Sequence, residues 1–134
     1  MYAGKLDLAI DSLGKSLAAQ NDPSAEGDEL CHLASALIEK GDLINAARKL
    51  ELGLELIEKN NGSRIWLTYG LMTRATLLGN DQNILGAIEA LIQALEIARK
   101  GNLKVRQEEI QYMLDHRDFH VLNAVGVRNI SRTT

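Results

Sequence analysis

The chain has 134 residues, with 15 Lys and Arg against 18 Asp and Glu, a formal net charge of -3, and 46% apolar residues. This is the balance of a folded domain rather than a disordered chain. The acidic excess disfavours a general nucleic-acid or anionic-membrane binder, because attraction to phosphate comes from surplus Lys and Arg. The one cysteine, Cys31, cannot close a disulfide within the chain, no stretch has the length and apolarity of a membrane span, and Lys5, Asp7 and Asp11 interrupt any leader-like N-terminus. These features predict a soluble, cytoplasmic protein.

Helical periodicity runs through the chain. Leu43, Ala47, Leu50, Leu54 and Ile57 recur at steps of three or four, as do Ile84, Ile88, Leu91, Leu95 and Ala98. Ile92 and Ala94 widen the second stripe into one that needs cover on two sides. Punctuation falls at Asn21-Asp22-Pro23-Ser24, Gly41-Asp42, Asn60-Asn61-Gly62-Ser63, Gly79-Asn80-Asp81 and Gly101-Asn102. The pattern predicts six helices, near 5–20, 24–40, 43–59, 63–79, 83–100 and 103–116. Beyond residue 118 it predicts a short capping helix to Val125 and a frayed tail.

The segments also repeat. Ala9, Ala46 and Ala87 are each followed four residues later by Leu13, Leu50 and Leu91, then by a small residue at Ser16, Gly53 and Ala94, then by Leu17, Leu54 and Leu95. Small residues at these steps let two helices cross closely while the leucine fills the gap between them. The spacing of 37 and 41 residues between the alanines marks a helical hairpin as the unit.

Leu30, Leu33, Ala34, Leu37, Gly41, Ala46, Leu50 and Gly53, with Trp66, Tyr69, Gly70, Ala87, Leu91 and Ala94, make the chain resemble the tetratricopeptide repeat (TPR) family. Glu58, where that family often has proline, and the extra residues between Trp66 and Ala87 depart from its pattern. The segment from Trp66 to Gly101 also resembles the helical-repeat sensor regions of LuxR-type transcription activators. The resemblance implies an all-α fold, TPR-like antiparallel helical hairpins stacked into a short right-handed solenoid. Its domain would span residues 1–117, with a half repeat at 4–22, repeats at 24–60 and 63–100, a further helix at 103–116, and a cap or tail at 118–134. A chain opening on the second helix of a hairpin would leave Leu6, Ile10, Leu13 and Leu17 as an uncovered stripe. The reading then is a homodimer through this stripe, or a piece of a longer protein.

Catalytic spellings are weak. His116-Arg117-Asp118 with Asn123 spells a kinase catalytic loop, but the glycine-rich loop, strand lysine and Asp-Phe-Gly are missing. His116 and His120 stand four apart, which suits a metal on a continuous helix, without the Glu of a zinc-protease motif. Cys31 next to His32 lacks an orienting third group. The expectation is no enzyme, no catalytic residue, no metal and no cofactor.

What remains is recognition of a protein or peptide. The resemblance places Asp28, Cys31, His32, Ser35 and Glu39 of one helix, and Arg64, Leu67, Thr68, Leu71 and Arg74 of another, along a concave groove. Cys31, Ser35, Leu67 and Leu71 stand where chaperone-binding members carry their Lys and Asn clamp, so a clamp for chaperone tails is not expected. Leu67 and Leu71 suit an apolar anchor, and Arg64 and Arg74 an acidic flank. The function expected is a non-enzymatic protein-interaction module within a larger regulatory or scaffold assembly. The alternative is a sensor domain of a transcription regulator that takes a small ligand or signalling peptide, with no direct nucleic-acid or membrane contact.

Overall fold

The computed structural model describes residues 2–19 and 21–119. They form six α-helices, α1 (Tyr2–Ala19), α2 (Pro23–Lys40), α3 (Leu43–Lys59), α4 (Arg64–Asn80), α5 (Ile84–Lys100) and α6 (Lys104–His116), and no strand is found among them. The fold is all-α, with helix bounds close to those the periodicity predicts. The expected capping helix to Val125 lies outside the described residues. No helix among those described is long and apolar enough to cross a membrane.

Short polar side chains start α2 to α5. Asp22 Oδ1 accepts from the Ser24 amide at 3.0 Å ahead of Pro23, Ser63 Oγ accepts from Ile65 at 3.1 Å, and Asn83 Oδ1 accepts from Gly86 at 3.0 Å. Five helix ends share one closure. A residue with positive φ (Gly41, Asn61, Gln82, Asn102 or Arg117) is followed by an amide that reaches back to the carbonyl five residues earlier. These bonds run from Asp42 to Leu37, Gly62 to Ile57, Asn83 to Leu78, Leu103 to Ala98 and Asp118 to Met113, at 2.8–3.0 Å. Of the turn glycines in the sequence, Gly41 alone takes the left-handed conformation; α4 continues through Gly79 and Asn80, and Gln82 makes the turn.

The hairpins α2–α3 and α4–α5 make the largest interfaces, α2 also packs on α4, α4 touches α6, and α1, α3 and α5 each lie against the helix that follows. One core cluster runs from Cys31 and Ala34 in α2 to Ile110 and Met113 in α6. The internal repeat is a repeat of burial: Ala46 and Ala87, Leu50 and Leu91, Gly53 and Ala94, Leu54 and Leu95 are all buried. The helices cross closest at glycine. A Cβ on Gly53 would stand 2.9 Å from the Gly27 carbonyl oxygen, and a Cβ on Gly70 would stand 2.5 Å from Leu54 Cδ2 and 3.0 Å from Cys31 Sγ.

Two expectations change. The stripe of Leu6, Ile10, Leu13 and Leu17 is not uncovered: α1 turns it onto α2, with Leu6 buried beside Ala36 and the other three half-buried against clusters built on Leu33, Leu37 and Ile38. The outward side of α1 is mainly polar, and Asp7 and Ser16 bind Lys40 and Glu29 of α2. The apolar end that argued for self-association through these four residues is therefore absent. On α3 and α5, Leu43, Ala47, Ile84 and Ile92 face solvent, because α3 and α5 do not touch each other and no described element lies over those sides.

Candidate functional site

The side chains that cross between first helices gather on one side of α2, α4 and α6. His32 of α2 lies 5.7 Å from the Trp66 ring and 6.2 Å, edge-on, from Tyr69, and Trp66 and Tyr69 meet edge-to-face at 5.3 Å. Spacing i, i+3 on α4 brings the last two together, and His32 reaches them because Gly70 lets α2 approach. Such ring pairs add to simple burial. His32 and Trp66 are half-buried.

Arg106 of α6 extends the cluster. Its guanidinium lies 5.8 Å from the Tyr69 ring centroid, donates to Glu109 Oε1 at 2.9 Å and to the Ile65 carbonyl at 3.2 Å, and keeps a buried Nε without a partner. The Arg106–Glu109 pair is only 13% and 18% exposed, so it is less screened than a surface pair. Beside it a pocket of about 490 Å³ is lined by Ile65, Leu103, Lys104, Val105, Arg106 and Glu109. The Tyr69 hydroxyl is hydrogen-bonded to Ser35, and burial pushes its pKa from 10.0 up to about 12 despite that bond and the nearby Arg106 charge.

Only part of the sequence-predicted groove forms an open surface. Cys31, Ser35, Thr68 and Leu71 are buried between helices, and Thr68 turns its hydroxyl back to the Arg64 and Ile65 carbonyls. They close the helix interfaces rather than line a groove, because α2 and α4 approach closely at Gly70 and α5 covers the far side of α4. Asp28, His32, Glu39, Leu67 and Arg74 are half-buried, and Arg64 is exposed. Arg74 pairs with Glu51 of α3 at 2.9 and 3.0 Å, in a solvent-exposed contact. The Arg64 stem lies at Gly101. Trp66, Tyr69 and Arg106 were not among the predicted groove residues. The Trp66-x-x-Tyr69 spacing was the available signal for the first two; Arg106 had none, since only the docking of α6 brings it to Tyr69.

The chemistry of Cys31 is that of a packing group. Burial, reinforced by Asp28, raises its thiol from 9.0 to about 12, so it stays protonated at neutral pH and is a poor nucleophile. His116 stacks on Tyr112 at 4.1 Å with Nδ1 3.0 Å from the Tyr112 carbonyl oxygen, and the chain leaves the helix at Arg117, so the four-residue step to His120 does not run on a continuous helix. His120 itself is outside the described residues. Among those described, no group of three or more His, Cys, Asp or Glu is placed to hold a metal.

Asp28 carries the clearest electrostatic strain on this side. Its Oδ1 is buried without a hydrogen-bond partner, and desolvation, with Asp22 and Glu29 nearby, raises its pKa from 3.8 to about 6. Between pH 4 and 6 the folded chain keeps a proton that the unfolded chain has released, so Asp28 makes stability fall as pH rises through that window. Asp28→Asn is expected to melt above wild type at pH 7 and level with it at pH 4. Thermal melts at the two pH values check this, and equal midpoints at pH 7 contradict it.

Comparisons with family models, with curated proteins and with solved structures find no match to this chain.

Proposed function

We propose that the chain is a non-enzymatic protein-interaction module, a short right-handed TPR-like solenoid whose α2, α4 and α6 side holds a peptide or partner helix as part of a larger regulatory or scaffold assembly. Two features support the solenoid. Each second helix of a hairpin packs against the first helix of the next, and the first helices meet in series, α2 with α4 and α4 with α6. The observation that carries the functional reading is the His32–Trp66–Tyr69 ring cluster, contributed by two helices and flanked by a third. The half-buried rings of His32 and Trp66, backed by the buried Tyr69, give a ligand large contact area at little conformational cost, as in recognition of apolar peptide anchors. The α2 carboxylates Asp28 and Glu39 border the rings and favour a basic flank on the ligand, in place of the acidic flank expected from Arg64 and Arg74.

The test is selection of a random peptide library on the whole chain. Enriched peptides should combine apolar residues with Lys or Arg, and Trp66→Ala should weaken them by about tenfold or more in a variant whose circular dichroism matches wild type. Leu85→Ala, at a 77% exposed position on α5, serves as the control that leaves affinity unchanged. Peptides that bind Trp66→Ala as well as wild type would place recognition elsewhere.

A further inference from the structure

An apolar groove lies between the first turns of α3 and the last turn of α4. It holds about 510 Å³, with Leu43, Ile44 and Ala47 on the α3 wall and Leu77 and Leu78 on the α4 wall. Leu43, Ile44, Ala47 and Arg48 stand at i, i+1, i+4 and i+5, so they share one face of α3. The α5 helix does not reach α3, and among the described residues nothing lies over this face. Phe119 covers the last turn of α4 at Gly79, where its ring carbons sit 3.1 and 3.2 Å from the place a Cβ would take, and it does not line the groove.

Two details single out the occupant. Ile44 is 71% exposed at the rim, so a ridge and a hollow lie side by side on one surface. A two-fold pair calls for that arrangement, since each copy offers the other the same ridge and the same hollow. The charges match as well. Arg48 stands on the α3 wall and Asp81 at the end of α4, and neither is engaged by another charge among the described residues. When the α3 ridge of one copy enters the hollow of another, Arg48 approaches Asp81 of the second copy, and symmetry makes the contact twice. A partner of unrelated sequence has no need of ridge, hollow and both signs of charge together.

We infer that two copies of the chain pair about a two-fold axis at this groove, Ile44 of each seated against Ala47, Leu77 and Leu78 of the other, and Arg48 of each paired with Asp81 of the other. The groove supplies fewer residues a side than the roughly 20–30 of a standard interface, so the pairing is reversible and concentration-dependent. Trp66 lies twelve residues before Leu78, about 18 Å along α4. Paired copies therefore keep both ring clusters free and present them together, which strengthens binding of any ligand that spans the two. The pairing does not depend on the peptide-binding reading, and the test below involves no peptide.

Sedimentation velocity of the whole chain from about 10 μM to about 1 mM reads the mass across the range of a weak dimer. Wild type is expected to approach twice the monomer mass and to stop there. Ile44→Glu, at an exposed position and with unchanged circular dichroism, should weaken the pairing at least about tenfold. Arg48→Glu and Asp81→Lys should each weaken it, and the double variant should restore it, because the exchange rebuilds both contacts. General stickiness of an apolar surface would not give that rescue. Trp66→Ala should pair as wild type does. A monomer at every concentration overturns the inference, and so does a mass that grows past the dimer. A dimer indifferent to Ile44→Glu, a charge exchange without rescue, or loss of pairing in Trp66→Ala places the contact elsewhere and overturns it equally.

Discussion

Replacing Gly53 with alanine is expected to destabilise the chain by about 1–3 kcal/mol, although alanine is the better helix former. The added methyl would lie 2.9 Å from the Gly27 carbonyl oxygen, 3.0 Å from Leu30 Cβ and 3.0 Å from Cys31 Sγ. Two of those three atoms are anchored on the α2 main chain and cannot swing aside, so α2 and α3 must separate along the largest interface of the fold. Gly27→Ala meets the same obstacle from the other side, at 2.8 Å from the Gly53 oxygen and 2.8 Å from Ile57 Cγ1. The double variant should cost less than both single costs together, because one separation relieves both clashes. Gly14→Ala in α1 is the control: its Cβ would have nothing within 4 Å, and it should gain about 0.5–1 kcal/mol from helix propensity alone. Urea unfolding reads all four. A Gly53→Ala midpoint that rises as for Gly14→Ala would mean that the two helices do not cross at these glycines.

Leu91→Ala should cost more, about 2–5 kcal/mol. Leu91 is fully buried at the centre of the cluster that joins α2 to α6, so truncation removes both transfer energy and the contacts around the cavity left behind. Its repeat counterpart Leu50, equally buried, should behave alike. Leu85 lies on the same helix six residues earlier but is 77% exposed, and its truncation should fall within about 0.5 kcal/mol of wild type. Denaturant midpoints of the three variants check the ranking; a Leu91→Ala chain as stable as Leu85→Ala would contradict the core described.

Local signals account for the parts of the structure that were legible in advance. Six helices and most of their ends follow from periodicity and from Asp22, Gly41, Asp42 and Ser63, because capping and turn chemistry act within a few residues. The recurrence of small and large residues likewise picked out Ala46, Leu50, Gly53, Ala87, Leu91 and Ala94 as buried, since only a close helix crossing calls for that order of sizes. The left-handed positions were read less well. Gly62 and Gly101 sit beside the residues that take them, and Asn61, Gln82 and Asn102 bear a conformation that glycine would have adopted more easily.

The tertiary structure alone decided which neighbour covers each side of a helix. Periodicity gives the phase of an apolar stripe and says nothing of what lies over it, so Leu6, Ile10, Leu13 and Leu17 read as uncovered although α2 lies against them. In the same way Cys31, Ser35, Thr68 and Leu71 read as groove residues although close approach of α2, α4 and α5 buries them. The ring cluster, the Arg106 contact with Tyr69 and the seat of Phe119 on Gly79 each join residues more than 30 positions apart. Such contacts are set by helix crossing and axial offset, which arise when whole hairpins dock and which no run of neighbouring residues encodes.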